Sequence, residues 1–209
     1  MITSLTAERL VCARGDKRLF ENLSFQVRAG QALAVEGANG AGKTSLLRLI
    51  AGFIAPVSGR LIVLEAGAES DDAEERGKRI GWLGHHDGLK PQLTVAEQLS
   101  FWAALYRGTA NADVLAQVGL VRQADLPCRY LSAGQKRRLA LARLLVSGRP
   151  LWLLDEPLTA LDVQMVARLQ ARVRTYAQAG GRVVLTSHQP MACVSHRLDL
   201  GSLVAGALA

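Results

Sequence analysis

Hydrophobic and polar positions change period along the chain, and each change marks an element. Residues 23–28 alternate apolar and polar, and residues 31–36 form a short apolar run, which predicts two strands joined through Ala29 and Gly30. A glycine-rich stretch follows. Beyond it Leu46, Leu47, Leu49 and Ile50 fall at helical spacings, predicting a helix over 45–51 that stops at Gly52. Residues 59–64 and 79–83 are further predicted strands, while 71–78 is a charged, solvated connection with no periodic apolar face.

From 94 to 120 the pattern turns helical, with Val95, Leu99 and Trp102 on one face and a second segment around 114–118. This predicts a small helical lobe. A helix over 134–147, a strand over 151–154, a helix over 162–178 and a strand over 182–186 then alternate, which implies a largely parallel sheet in an α/β fold.

The length of 209 residues suits one folding unit, with at most a small appended lobe. Hydrophobic residues at 49% and charged residues at 21% imply a packed core and exclude a disordered or fibrous chain. The longest apolar stretches, 99–106 and 203–209, fall far short of the roughly 20 residues that a membrane-spanning helix needs. The first nine residues lack a basic region, apolar core and cleavage site, so no secretory signal is expected and the chain should stay in the cytosol. Cys12, Cys128 and Cys193 have no paired spacing, so reduced, buried thiols are expected. A net charge of +7 favours a polyanion, whether nucleic acid, an anionic membrane surface or nucleotide phosphates, and charge alone leaves the three open.

Candidate chemistry begins at Gly37, Ala38, Asn39, Gly40, Ala41, Gly42, Lys43 and Thr44, which fit the phosphate-loop pattern of two glycines separated by four residues and followed by Lys and Thr. The stretch lies between an apolar strand and the helix that Ser45 opens, as the mechanism requires. Glycines let successive amides curl toward phosphate oxygens, and the helix N-terminus favours an anion. Lys43 adds a mobile positive charge and Thr44 a hydroxyl for Mg²⁺. A plain glycine turn would not need the Lys-Thr pair. Residues 151–156 form an apolar strand ending in Asp155 and Glu156. Asp155 is the candidate Mg²⁺ holder and Glu156 the candidate base that orients and deprotonates the attacking water. Alone, the pair could equally be exposed carboxylates before a Pro157 turn.

Leu131, Ser132, Ala133, Gly134 and Gln135, followed by Lys136, Arg137 and Arg138, break that balance. Here the chain resembles the ATP-binding-cassette family, whose signature is Leu-Ser-Gly-Gly-Gln. Ala133 is the one change. Leu158 to Asp162 resembles the family's D-loop, and Thr186-Ser187-His188 its switch histidine. Singly, Asp162 would be a helix N-cap and His188 an exposed histidine; in this order they carry the resemblance over the whole chain.

The resemblance implies a P-loop NTPase core of RecA-like type with an N-terminal antiparallel β part and a small helical subdomain. The core would span about 1–84 and 135–209, and the subdomain about 85–134. It implies ATP and Mg²⁺ as cofactors, with Glu156 and His188 catalytic, His188 sensing the γ-phosphate. Residues 37–45 would hold nucleotide, and Ser132, Gly134 and Gln135 would contact ATP held by a second ATPase subunit in a closed homodimer. Asp162 would bridge subunits.

Two departures stand out. Most members carry a Gln after the strand that here reads Ile80-Gly81-Trp82-Leu83-Gly84; the nearest match is His86, whose neutral imidazole nitrogen would replace the amide oxygen as a metal ligand with Thr44 and Asp155. The adjacent His85 and His86 also invite a metal or haem reading, but no second cluster completes a site. Members also stack adenine on an upstream aromatic residue, whereas residues 12–15 offer only the guanidinium plane of Arg14.

Coiled-coil insertions or a second cassette would point to a nucleic-acid-acting member; neither is present, so no direct nucleic-acid partner is expected. Residues 84–94, with Leu99, Ser100, Phe101 and Trp102, resemble the haem-exporter ATPases of cytochrome c biogenesis. That subfamily implies integral membrane partners of the CcmB and CcmC type and a peripheral place on the cytoplasmic face of the inner membrane. Export of another small molecule or lipid is the alternative. The residues at 193–196, Cys-Val-Ser-His, are not a two-cysteine haem attachment motif, so any cargo specificity belongs to the partner.

Overall fold

Strands β7 (Leu151–Asp155) and β8 (Arg182–Thr186) are buried at every residue, as parallel strands covered on both faces must be. They lie at the centre of a parallel sheet ordered β6 (Ile80–Leu83), β7, β8, β3 (Ala32–Glu36), β9 (His196–Asp199). A computed structural model of the chain describes residues 2–108, 110 and 112–201; the apolar stretch 203–209 lies outside them.

Alternation along these strands feeds two cores. Leu151, Leu153, Val184, Leu33 and Val35 face α1 (Lys43–Ile50) and an antiparallel sheet. That sheet has the order β2 (Lys17–Arg28), β1 (Ile2–Arg14), β4 (Ser58–Glu65), β5 (Ala68–Ser70). On the other face Trp152, Leu154, Val183 and Leu185 pack with Val95, Leu99 and Trp102 of α3 (Val95–Tyr106) and Leu139, Ala140 and Leu144 of α5 (Ala133–Ser147). Leu169 and Val173 of α6 (Val163–Gln178) complete this layer. Each fully buried leucine contributes about 1.5–3 kcal/mol, so two such layers hold the sheet firmly.

The predicted charged connection at 71–78 contains a short helix, α2 (Ala73–Gly77), N-capped by Asp72. Five residues are too few to show a period, and its buried residue is Arg76, which donates to the carbonyls of Ile50, Leu61 and Asp71. The helical stretch after β6 comprises α3, opened by a Thr94–Glu97 capping box, and α4 (Ala112–Gln117), both against α5. Cys12, Cys128 and Cys193 are buried free thiols. Among the described residues no helix is long and apolar enough to cross a membrane.

Pairing register sets up the site. Val35 and Asp155 both lie opposite Thr186, and Leu83 lies opposite Leu154, so β3, β6, β7 and β8 end together. Ligands of parallel α/β sheets bind at this carboxyl edge.

Candidate functional site

The chain leaves β3 into the loop of residues 37–42 and enters α1 at Lys43. Gly42 has φ 99°, the left-handed region, and a Cβ there would lie 3.1 Å from both Leu19 Cβ and Phe20 Cδ1. The conformation demands glycine, and a side chain there would sit tight against both neighbours. Lys43 is buried, and its ammonium donates to the carbonyls of Gly37 at 2.7 Å and Ala38 at 3.1 Å. The loop thus wraps a positive charge that its own carbonyls hold in place.

Across the loop, the hydroxyls of Thr44 and Thr186 donate to Asp155 Oδ1 at 3.1 and 2.8 Å. Asp155 Oδ2 is buried without a hydrogen bond, and His85 Nε2 stands 3.2 Å away at ion-pair distance but without hydrogen-bond alignment. An unpaired buried carboxylate oxygen is costly, and a cation beside it removes the cost. The Thr44 hydroxyl and Asp155 oxygen are the hard donors that Mg²⁺ prefers, so the residues fit that ion.

Sequence order points to His86 as the third metal candidate; in the structure the histidine beside Asp155 is its neighbour His85. His86 is exposed and does not line the cavity described below. Both histidines, just beyond β6, are exposed, but it is His85 whose ring comes within ion-pair distance of Asp155.

Glu156 follows with φ 47°, a left-handed conformation costing roughly 1–2 kcal/mol for a residue with a Cβ. Its surroundings enforce it. The Glu156 amide donates to Thr186 Oγ1 at 3.0 Å, and the His188 amide donates to Glu156 Oε2 at 3.2 Å. The His188 ring reaches the same carboxylate, Nε2 lying 3.4 Å from Oε1. Phosphate loop, His85, Glu156 and His188 line one open cavity of about 370 Å³, with Arg14 and Leu19 also in its lining. Asn39, Gly40, Gly42, Lys43, Thr44 and Ser45 face it, while Gly37, Ala38 and Ala41 shape the loop without lining it.

Ser132, Gly134 and Gln135 do not line this cavity. They open α5, where Ser132 and Gln135 form a reciprocal capping box: the Gln135 amide donates to the Ser132 hydroxyl and the Ser132 amide to Gln135 Oε1. As acceptor in the cap, the Ser132 hydroxyl keeps its own proton free to donate outward. A Cβ at Gly134 would sit 2.8 Å from the Ala160 carbonyl, whereas Ala133 is exposed and its methyl costs nothing. Asp162 N-caps α6 by accepting from the Met165 amide at 2.8 Å.

Sequence order gave Thr186 and His85 no role of their own: Thr186 enters only in the stretch leading to His188, and His85 only as the neighbour of His86. Thr186 touches both acidic residues only because β7 and β8 pair in this register, which no local pattern displays.

The profile of the ABC transporter family matches residues 20–159. A cytochrome c biogenesis ATP-binding export protein CcmA of Rhodopseudomonas palustris is 42% identical over 95% of this chain and 98% of its own length. The protein of that name in Bradyrhizobium diazoefficiens is 45% identical with the same coverages, and that in Vibrio cholerae 44% identical over 90% of this chain and 92% of its own. A putative ABC transporter ATP-binding protein of Pyrococcus furiosus superposes with TM-score 0.82 at 23% identity, over 95% of this chain and 98% of that one. A dimeric ATP-binding cassette in a post-hydrolysis state, bound to ADP and Pi, superposes with TM-score 0.79 at 23% identity, over 94% of each chain. With a family match over most of its length, and with relatives aligned end to end, the chain belongs to the ABC transporter family as a nucleotide-binding subunit similar to CcmA.

Proposed function

We propose that this chain hydrolyses ATP to ADP and phosphate to drive a cytochrome c biogenesis transporter that exports or delivers haem. The similarity to CcmA proteins over 95% of the chain carries the cytochrome c assignment. The clamp of Thr186 and His188 on Glu156 beside the phosphate loop supports the hydrolytic one.

On nucleotide binding, Lys43 exchanges the carbonyls of Gly37 and Ala38 for phosphate oxygens, and the amides of residues 40–45 take up the remaining charge. Thr44 and Asp155, with His85 beside them, would hold Mg²⁺, which would supply positive charge against the phosphate oxygens. Arg14 and Leu19 form an apolar and guanidinium platform for adenine. Glu156 orients one water in line with the γ-phosphate and takes its proton, while His188 holds that carboxylate and faces the same phosphate. Ser132, Gly134 and Gln135 lie outside their own site and serve the nucleotide of a second copy, closing a homodimer around two ATP molecules. Closure and reopening act on integral membrane subunits of the CcmB and CcmC type at the cytoplasmic face of the inner membrane.

The test is a chromosomal Lys43→Ala replacement with staining of cell extracts for covalently bound haem. Loss of the c-type cytochrome bands, with the variant protein still present, is the expected result. Persisting bands would mean that the transporter carries a different cargo.

A further inference from the structure

Arg137 stands one turn into α5 and is buried, with 4% of its surface exposed. Its Nη1 donates to the Gly84 carbonyl at 2.7 Å and to Asp87 Oδ1 at 3.2 Å. Its Nη2 donates to the carbonyls of Asp155 at 3.1 Å and Glu156 at 2.8 Å. The fork of one guanidinium is therefore divided between the chain leaving β6, next to His85, and the end of β7, where the two acidic residues stand. No other basic residue of α5 joins these parts: Arg138 reaches the carbonyls of Val118 and Gly119, and Arg143 that of Trp82.

Burying a guanidinium is costly, and a single partly exposed carboxylate, Asp87, is a modest counter-charge. A cost of this kind is retained where the group fixes a geometry that packing alone would not. The candidate geometry is at Glu156. Its φ of 47° is unusual for a residue with a Cβ, and the backbone on either side must be held for it to persist. Thr186 holds the amide side and Arg137 the carbonyl side.

We propose that Arg137 is a positioning residue for hydrolysis, holding the Glu156 backbone in its left-handed conformation and tying it to the helix that carries Ser132, Gly134 and Gln135. This rests on the hydrolytic reading above and deepens it. The start of α5 serves the nucleotide of the second copy, and Glu156 serves the chain's own. A shift of α5 as its N-terminus meets the opposite nucleotide moves the guanidinium, and with it the Glu156 carbonyl. Arg137 thus reports engagement at one nucleotide to the carboxylate of the other, while Lys43 and the phosphate loop, which it does not touch, bind ATP as before.

The experiment compares the full-length wild-type protein with Arg137→Lys, which keeps the charge but cannot span both strand ends with two parallel N–H groups. Phosphate release gives kcat, and a fluorescent ATP analogue gives nucleotide affinity. The expected result is a kcat lower by about 10- to 100-fold with affinity within about twofold of wild type. Unchanged kcat would overturn the proposal, and so would kcat and affinity falling in parallel, which is the mark of a merely structural role. Should Arg137→Lys fail to fold, Asp87→Asn loosens the same guanidinium from the loop side: a smaller loss of kcat at constant affinity supports the assignment, and none overturns it. A wild-type protein releasing no phosphate from ATP would instead sink the hydrolytic reading itself.

Discussion

His85 Nε2 lies 3.2 Å from Asp155 Oδ2, the one oxygen of that buried carboxylate with no hydrogen bond. In a family that places a glutamine after this strand, an imidazole beside the aspartate proposed to hold the metal would change the donor set from oxygen to nitrogen. Nitrogen donors favour Mn²⁺ and later transition ions over Mg²⁺, which prefers oxygen. With Mn²⁺ and nucleotide bound, pulsed electron paramagnetic resonance should detect a histidine nitrogen coupled to the ion in the wild type and none in His85→Gln. The same substitution should lower the ratio of Mn²⁺ to Mg²⁺ affinity, and His86→Gln should leave both readouts unchanged. Nitrogen coupling that survives His85→Gln but vanishes in His86→Gln would reverse the assignment.

The His188 ring and amide both reach the Glu156 carboxylate, at 3.4 and 3.2 Å. Glu156→Gln keeps an oxygen for the His188 amide and a side chain of the same shape, but removes the proposed base. Hydrolysis should fall by about 10²- to 10⁴-fold while ATP binding persists. With hydrolysis blocked, the ATP-bound pair should accumulate and elute as a dimer in gel filtration, whereas the nucleotide-free variant elutes as a monomer. A monomer at saturating ATP would count against closure around two nucleotides.

How much of this was legible in the sequence depended on whether the signal was local. The phosphate loop was legible because glycine conformation, Lys43 and Thr44 act within one turn of chain, and Asp155 because an apolar strand ends there. Strand β1 was missed: its alternation is interrupted around Arg9, which has φ 47° and donates its amide to Ser24 Oγ, and the register shifts on both sides of it. Strands β5 and β9 are exposed nearly throughout, so they show no apolar pattern. Which of the adjacent His85 and His86 stands beside Asp155 depends on the path of the loop after β6, which no local pattern displays. Thr186 and Arg137 act across strand and helix pairings far apart in sequence, and only the fold brings them to the carboxylates.

Burial pushes the Cys12, Cys128 and Cys193 thiols above the ordinary thiol range. Below the unfolded value of about 8.5 both states keep their protons, and the fold has its full stability. As pH rises past that value the unfolded chain ionises while the folded chain does not, so stability declines until the folded thiols ionise in turn. Between pH 7.5 and 10 the urea midpoint of the wild type should therefore fall further than that of a triple Cys→Ala variant. An equal fall in both would show that the thiols do not contribute. A thiol reagent should likewise react with the native protein only at the rate of unfolding.

Gly134 and Ala133 are neighbours at the start of α5 with opposite tolerance for a methyl group. A Cβ on Gly134 would press to 2.8 Å on the Ala160 carbonyl, and Ala160 itself is held at φ 62° in the turn that leads to Asp162. Backbone on both sides leaves no flexible atom to yield, so Gly134→Ala should displace that turn and the α5 N-terminus together. Because the Ser132–Gln135 cap opens the same helix, ATP-dependent dimerisation should weaken by about tenfold or more while nucleotide affinity of the single chain holds. Ala133→Gly restores the residue that the family signature carries, but at an exposed site whose methyl touches no constraint. Its only expected effect is the helix-propensity cost of about 0.5–1 kcal/mol, read as a small drop in thermal stability with dimerisation intact. If the two substitutions weakened dimerisation equally, direct contact of both positions with the second copy, and not the packing of Gly134 on Ala160, would govern this loop.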